Sequence, residues 1–331
     1  MKANIKYIIT AAVFVVLAGA IFLTGRQQKS EQENATKTFQ VAIFQIVRHP
    51  VLDTLPEGFK EVLNAKFPGR VKYESFVPEA DPGKIEQMAT KIATQNFDMA
   101  FVIGTNCAQS LAKKTKTLPI VLGAATDPKS AGLVETWEKP GGNITGTSDL
   151  SPIDVQLDRL QELLPKATKI GVIYNPSEDN SKIILERFKL ETEKRGQEGV
   201  TATVSSQKEI KQTVVSLKGR VDALYAPTDA TVQKAFEVLI KTANEIKMPV
   251  FNCDKGTAEK GALFSVGFDY RDLGVISGKM AVQILEGSAM PADMPIRMAD
   301  INSLFYNKQQ IETFGLDVPQ AWNEKGILVG Q

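Results

Sequence analysis

The segment that decides the fold is KPGGNITGTSDLSP, residues 139–152, where glycine, proline, serine and threonine cluster. Such a cluster interrupts regular structure, and a similar order of elements is expected on both sides of it. Before it, short apolar runs rich in β-branched residues alternate with longer amphipathic stretches, which is typical of strand–helix units around a mostly parallel sheet. We predict strands at 41–47, 71–77, 99–103 and 120–122, and helices at 53–65, 82–95 and 108–114.

The same alternation begins again after residue 152. We predict helices at 152–164, 181–195, 208–217 and 232–247, and strands at 169–174, 200–204, 223–225, 249–251 and 262–266. Two similar α/β units joined by a short glycine-rich crossing predict two doubly wound parallel-sheet lobes with a ligand cleft between them. In open sheets of this kind, ligands bind outside the carboxyl ends of the strands.

The amino terminus carries a segment of another type. Lys2 and Lys6 precede an uncharged, apolar stretch at 7–25, and Arg26 follows it. This pattern predicts a hydrophobic helix that is either a signal anchor or a cleavable signal peptide. Both alternatives place the folded part outside the cytoplasm. Residues 26–38 are almost entirely polar, so we expect a tether there.

The chain has two cysteines, Cys107 and Cys253. Neither lies directly after the apolar segment, so no cysteine is placed to accept a lipid. Outside the cytoplasm the two thiols could form a disulfide. That bond would clamp a cleft that has to open, so two buried thiols are the preferred interpretation.

The composition excludes several classes of function. Lys plus Arg is 39 and Asp plus Glu is 38, which gives no electrostatic basis for binding nucleic acid. One histidine and two distant cysteines do not make a zinc site. The chain has no nucleophile elbow, no phosphate-binding loop and no dinucleotide fingerprint. We therefore predict no metal, no cofactor and no enzymatic activity.

Small hydroxyl residues followed by aspartate end several strands or crossings. Each pair precedes a predicted helix, so each could simply cap that helix. Their recurrence in both lobes also suits a small zwitterion, because free backbone N–H groups at a helix start bind a carboxylate and an aspartate binds an ammonium group. The pairs are Thr126 and Asp127, Ser148 and Asp149, and Thr228 and Asp229; the other polar strand ends are 104–107 and 252–256.

His49, the only histidine, lies between an apolar run and Pro50. It could contact a ligand or be an ordinary polar loop residue. Pro50 biases His49 toward an extended conformation and stiffens this loop. Binding residues often lie on loops that a rigid scaffold holds, so ligand contact is favoured.

Several long motifs, in this order, resemble the ABC-transporter substrate-binding proteins associated with tryptophan and tyrosine uptake. The resemblance covers about residues 39–307. The motifs are QIVRHPVLD (45–53), LPIVLGAATDPKSAGLV (118–134), the segment at 139–152, ELLPKATKIGVIYNPSEDNS (162–181), DALYAPTDATV (222–232) and GFDYRDLGVISGKMAVQILEG (267–287).

The resemblance implies a type I periplasmic-binding-protein fold with several hinge crossings. Lobe 1 would comprise 39–148 with about 269–299, and lobe 2 would comprise 149–268 with about 300–331. The implied ligand-binding residues are Gln45, His49, Pro50, Gly104, Thr105, Asn106, Ala125, Thr126, Asp127, Ser148, Asp149, Tyr174, Asn175, Thr228, Asp229, Asp254, Asp269 and Tyr270.

The implied function is the extracytoplasmic binding component of an ABC importer. It would be a monomer that closes on an amino-acid-like ligand, with an aromatic amino acid favoured, and delivers it to a membrane permease. Phe44, Tyr174 or Tyr270 would stack on the ligand. A membrane-tethered sensor of the same fold is the alternative, and an enzyme is a weaker one. Arg48 and Asn106 depart from the family's usual residues and would change the polarity of one cleft wall.

Overall fold

The first sheet of the computed structural model is fully parallel and has the strand order β2-β1-β3-β4-β5. The structure describes residues 37–252, 255–300 and 303–330. The predicted hydrophobic helix, most of the tether, Cys253 and Asp254 lie outside these residues. The elements of this sheet are β1 (Phe39–Gln45), α1 (Pro50–Lys66), β2 (Val71–Phe76), α2 (Pro82–Thr94), β3 (Met99–Ile103), α3 (Thr105–Lys114), β4 (Ile120–Ala124) and β5 (Ile144–Gly146).

Two helices of the first sheet begin earlier than their apolar pattern predicts. Helix α1 begins at Pro50 rather than at 53, because proline in the first turn loses no helical hydrogen bond. Helix α3 begins at Thr105 rather than at 108, directly after Gly104, whose φ is +106°. Glycine adopts that conformation readily, so β3 turns into α3 without an intervening loop.

The second sheet has the order β12-β11-β10-β9-β8-β6-β7. Its strands are β6 (Lys169–Tyr174), β7 (Glu198–Thr203), β8 (Ala223–Tyr225), β9 (Val250–Asn252), β10 (Phe264–Gly267), β11 (Ser303–Tyr306) and β12 (Ile327–Leu328). The helices after β5 are α4 (Ile153–Leu163), α5 (Asp179–Lys194), α6 (Ile210–Ser216), α7 (Ala230–Lys234), α8 (Phe236–Glu245), α9 (Lys255–Glu259), α10 (Tyr270–Leu285), α11 (Lys308–Thr313) and α12 (Gln320–Lys325).

The prediction of two doubly wound α/β sheets is confirmed, with one difference. Strand β11 runs antiparallel to β10, because the chain enters it without a crossover helix of its own lobe, which a parallel pair would require. The helix predicted at 232–247 is two helices, α7 and α8. The chain leaves helical dihedral angles at Ala235, a residue whose high helix propensity gives no sign of a break.

Helix α10 packs against the first sheet, although it follows the strands of the second. A Cβ atom on Gly58 would overlap the carbonyl oxygen of Arg271, and one on Gly274 would overlap that of Leu55, so glycine allows α1 and α10 to lie close together. After α10 the chain runs alongside β5 of the first sheet, where the backbone N–H of Arg297 donates to the carbonyl oxygen of Gly146 at 3.0 Å. We call the first sheet, its helices and α10 lobe 1, and the second sheet with its helices lobe 2.

Apolar clusters fill both lobes. In lobe 1, Phe59 and Phe101 stack with ring centroids 4.0 Å apart, beneath α1 and α10. In lobe 2, Phe264 and Trp322 meet edge to face at 5.3 Å, so the last helix closes the core of the second sheet. Among the described residues, no helix is both long and apolar enough to cross a membrane.

Candidate functional site

A cavity of about 420 Å³ lies between the two lobes. Its walls come from the segments that follow β1, β2, β3, β4, β5, β6, β8 and β10, at the carboxyl ends of these strands, where open α/β sheets bind ligands. The volume is in the range of small-molecule sites. Of the eighteen residues that we predicted from the sequence, the cavity brings together His49, Gly104, Thr105, Asn106, Thr126, Asp149, Asn175, Thr228 and Tyr270.

The lobe 1 wall of the cavity has a large aliphatic part, beside polar and charged side chains that include Glu86 and Lys113. Of the three aromatic residues expected to stack on a ligand, only Tyr270 lines the cavity. Phe44 is fully buried in the lobe 1 core, and Tyr174 packs against the lobe 2 core. The apolar side chains in the wall are Ile46, Val47, Val51, Leu52, Ala80, Pro82, Ile85, Ile103 and Ala124.

The start of α3 brings two hydroxyl residues together at the cavity. Gly104 precedes the helix, and a Cβ atom there would lie 2.8 Å from the Cβ atom of Ile46. Thr105 is buried, and its Oγ1 accepts the backbone N–H of Thr126 at 3.3 Å. The first backbone hydrogen bond of α3 is donated by Ala108 to Gly104. The N–H groups before Ala108 therefore have no acceptor within the helix and are available to bind an anion, as at other helix N-termini.

Asp149 lies between β5 and α4, in the segment that connects lobe 1 to lobe 2. Its carboxylate is buried, with 7% of the residue exposed. Its Oδ1 accepts Thr126 Oγ1–H at 3.4 Å and its Oδ2 accepts Tyr270 O–H at 3.3 Å. Both bonds are long. Burial raises the pKa of Asp149 to about 6, against the opposing effect of its hydrogen bonds. A cationic group in the cavity would stabilise the ionised form.

The lobe 2 wall contains a second, well-bonded carboxylate that sequence reasoning missed, Glu178. It accepts the backbone N–H groups of Ala230 and Thr231 at 2.8 and 3.0 Å and the hydroxyl of Thr231 at 2.8 Å. Burial, together with the nearby charge of Asp229, raises the pKa of Glu178 to about 7. Its sequence position could have indicated this role, because Glu178 lies four residues after β6, in the segment that also contributes Asn175 to the cavity wall.

Asp229 lies behind this wall rather than in it. Its carboxylate accepts the backbone N–H groups of Asn175 at 2.6 Å and Val232 at 2.8 Å, and the hydroxyl of Ser181 at 2.7 Å. It is fully buried, and burial raises its pKa. Asp229 therefore caps α7 and connects β6, α5 and α7 beneath the cavity.

His49 lines the cavity from the loop before α1. Its backbone is extended, with φ −153° and ψ 133°, as the following proline predicts, and its side chain makes no cap hydrogen bond. Burial lowers the pKa of His49, and the charge of Lys260 in lobe 2 lowers it further, while Asp53 raises it. The imidazole is therefore neutral near pH 7.

The remaining predicted residues lie around the cavity without lining it. Gln45 donates to Val47 O at 2.8 Å and to Asp53 Oδ1 at 2.6 Å. Asp127 accepts Trp137 Nε1–H at 3.1 Å, Ser148 donates to Thr126 O at 2.7 Å, and Asp269 caps α10 through Arg271 N–H at 2.8 Å. Pro50 is exposed in the first turn of α1 and Ala125 is in the lobe 1 core.

Of the two departures expected to change the polarity of a cleft wall, Asn106 lines the cavity, whereas Arg48 does not. Arg48 is exposed and lies 3.5 Å from Asp53, and Cys107 is fully buried. Among the residues that the structure describes, no group of three or more His, Cys, Asp or Glu side chains is arranged to hold a metal ion.

Residues 40–324 match the family model described as ABC transporter substrate binding protein. The chain belongs to this family. A tyrosine-binding protein from Clostridioides difficile is 34% identical over 330 residues, which is 96% of this chain and 95% of that protein. Members of the family bind substrates rather than transform them, in agreement with the prediction that the chain is not an enzyme.

Two solved structures of family relatives differ in how closely this structure superposes on them. An ABC domain from Streptococcus pneumoniae in complex with L-Trp is 35% identical and has a TM-score of 0.85, with 88% of this chain and 100% of that one covered. A substrate-binding protein with adhesive properties from Clostridium difficile, in its ligand-free, open form, is 36% identical over 89% of this chain and 100% of that one. Its TM-score is 0.68.

Proposed function

We propose that this substrate-binding protein is the extracytoplasmic component of an ABC importer and closes its lobes over an aromatic amino acid. The observation that carries the proposal is the position of Asp149. This buried carboxylate, with only long side-chain hydrogen bonds, shares one cavity with the start of α3 and with an aliphatic wall. An anion site, a cation site and an apolar surface in one cavity match the three parts of such a ligand.

Each part of the ligand has a complementary surface. The ligand carboxylate binds at the start of α3, near Thr105 and Thr126, where backbone N–H groups and the helix dipole favour an anion. The ammonium group binds Asp149. The aromatic side chain lies against the aliphatic wall and Tyr270, where burial of apolar surface supplies most of the affinity.

Closure of the lobes is supported by the comparison with the two relatives. At nearly equal identity, the structure is more similar to the L-Trp complex than to the ligand-free, open form. Residues of both lobes line the cavity, so opening the lobes would separate its walls. The crossings between the lobes are the places where a hinge motion of this kind would occur.

The wider role of the protein follows from the family. The bound amino acid would pass to a membrane permease, with the apolar segment at 7–25 serving as an anchor or as an export signal. We also propose that the protein acts as a monomer and that the lobe boundaries are those expected from the sequence, 39–148 with about 269–299 and 149–268 with about 300–331. The predicted residues behind the wall, such as Asp229, would shape the site from the second layer.

The test is calorimetric titration of the ligand-free, full-length protein with L-tryptophan, L-tyrosine, L-phenylalanine and L-leucine. We expect an aromatic amino acid to bind, and Asp149→Asn to weaken its binding by about 30-fold or more, because the ammonium group loses its counter-charge. Asp154→Asn, at an exposed carboxylate of α4, is the matched control and should bind normally. Binding that is indifferent to Asp149→Asn, or no binding of any aromatic amino acid, would overturn the proposal.

A further inference from the structure

An ion pair connects the two lobes outside the cavity. Lys234, the last residue of α7, donates from Nζ to Glu79 Oε2 at 2.8 Å. Glu79 lies in the loop between β2 and α2 of lobe 1, whereas α7 belongs to lobe 2. The two side chains are about one third exposed, and neither lines the cavity. The pair therefore joins the two lobes at a place outside the ligand cavity.

The loop that carries Glu79 has an unusual backbone. Glu79 and Ala80 both have positive φ angles, 58° and 59°, in the left-handed region that residues with a Cβ atom rarely adopt. Such a conformation persists where the surroundings hold it. Here the backbone N–H of Ala80 donates to Ile46 O at 2.9 Å, and the side chain of Glu79 is held by Lys234.

Helix α7 connects this contact to the cavity. Ala230 and Gln233 line the cavity, and Ala230 also packs against the apolar cluster of lobe 1. The first turn of α7 is fixed by the carboxylates of Glu178 and Asp229. A short, well-anchored helix therefore presents one face to the ligand space and its end to the other lobe.

A second hydrogen bond crosses between the lobes. Gln109 of α3 donates from Nε2 to Asp179 Oδ2 at the start of α5, at 3.0 Å. Gln109 lines the cavity, so replacing it would disturb the ligand as well as the lobe contact. Neither Glu79 nor Lys234 lines the cavity, so this pair can be altered without removing a side chain from the cavity wall.

We infer that Glu79 and Lys234 form a latch that sets how fast the ligand leaves the closed protein. The inference rests on the proposed function, because it requires closure over a ligand. The two charged groups meet only when the lobes are together, so their attraction stabilises the closed state and is absent when the ligand first encounters an open cleft. Such a contact slows dissociation and leaves association largely unchanged.

The experiment measures release of labelled L-tryptophan or L-tyrosine from the full-length protein after addition of excess unlabelled ligand, with association followed separately by stopped flow. We expect Glu79→Gln and Lys234→Met each to speed release about two- to five-fold, the range of a partly exposed ion pair. The double variant Glu79→Lys with Lys234→Glu should restore slow release, since the charges attract again. Glu57→Gln and Lys241→Met remove exposed charges elsewhere in the two lobes and should leave release unchanged.

The outcomes separate this inference from the proposed function. Release at the wild-type rate in both single variants would overturn the latch and leave the proposed function intact, as would fast release that the charge-swapped double variant does not correct. A wild-type protein that binds neither amino acid would overturn the proposed function itself. Thermal melting of each variant accompanies the kinetics, and an equal melting temperature with faster release supports the latch.

Discussion

The phenol of Tyr270 donates a hydrogen bond to Asp149 Oδ2 at 3.3 Å. Asp149 lies in the crossing between β5 and α4, and Tyr270 begins α10 directly after the crossing that follows β10. One contact therefore joins two of the segments that connect the lobes. Because Asp149 also lines the cavity, a group that binds to this carboxylate would act on these connecting segments as well as on the cavity.

The buried charge of Asp149 should reduce the stability of the ligand-free protein. Its raised pKa means that, between its ordinary value and about pH 6, the folded state binds more protons than the unfolded state. Stability therefore falls as pH rises through this interval. We expect Asp149→Asn to raise the free energy of unfolding by up to about 3 kcal/mol at pH 8 and by less at pH 5.

Urea unfolding of both proteins at the two pH values measures this difference. Ligand binding should show the opposite trend, because protonation of Asp149 removes the counter-charge for the ammonium group. Affinity should fall as pH is lowered below about 6, and Asp149→Asn should remove that dependence. An equal stability gain at both pH values would contradict the assignment to this carboxyl group.

Asp229→Ala should act on stability before it acts on the ligand. The carboxylate holds Asn175, Ser181 and the first turn of α7, and the substitution leaves these buried donors without an acceptor. We expect a loss of about 2 to 3 kcal/mol in the free energy of unfolding. Weaker ligand binding should accompany it because α7 forms part of the cavity wall.

Denaturant unfolding measures the Asp229→Ala effect, with Asp317→Ala as an exposed aspartate control. A variant with wild-type stability and abolished binding would instead indicate that Asp229 contacts the ligand directly.

Gly274→Ala should separate α10 from α1. The added methyl group would overlap the carbonyl oxygen of Leu55, which is backbone and cannot rotate away. Overpacking of this type costs about 1 to 3 kcal/mol, and the melting temperature should fall accordingly. Gly142→Ala is the control, because a Cβ atom at Gly142 meets nothing within 4 Å. A melting temperature equal to the wild type would mean that the two helices can move apart without loss.

The titration of His49 can be observed directly, because it is the only histidine of the chain. Burial and the charge of Lys260 lower its pKa. We expect its imidazole NMR signals in the ligand-free protein to titrate below the ordinary histidine range. Lys260→Met should raise the pKa toward that range. Since the folded pKa is depressed, any contribution of His49 to stability is present at neutral pH and is lost as the pH falls.

The architecture followed from the sequence because each lobe repeats a strong local pattern. Apolar runs and amphipathic stretches alternate on both sides of residues 139–152, and the polar strand ends converge in a parallel sheet. Together with the family resemblance, this reasoning was enough to predict that His49, Thr105 and Asp149 line one cavity. It could not separate a residue that lines the wall from one that caps a helix behind it, since Asp149 and Asp229 follow equally suitable hydroxyl residues.

Other parts of the site depend on contacts between distant segments. The carboxylate of Glu178 is held in the wall by backbone N–H groups of α7, about fifty residues later in the chain. No local sequence pattern indicates that pairing. Ala80 joins the wall through a left-handed turn in a sequence without glycine. Strand β11 was not predicted, and its antiparallel direction depends on where the chain enters lobe 2.

The route of the chain has a consequence for biosynthesis. Helix α10 completes the core of the first sheet, and β11, β12 and Trp322 complete the second. Both lobes therefore need residues beyond 269 to cover their apolar surfaces. Synthesis therefore has to pass residue 285 before the first sheet is covered and residue 328 before the second is complete, and cleavage at residues 139–152 would leave two fragments that each expose apolar surface.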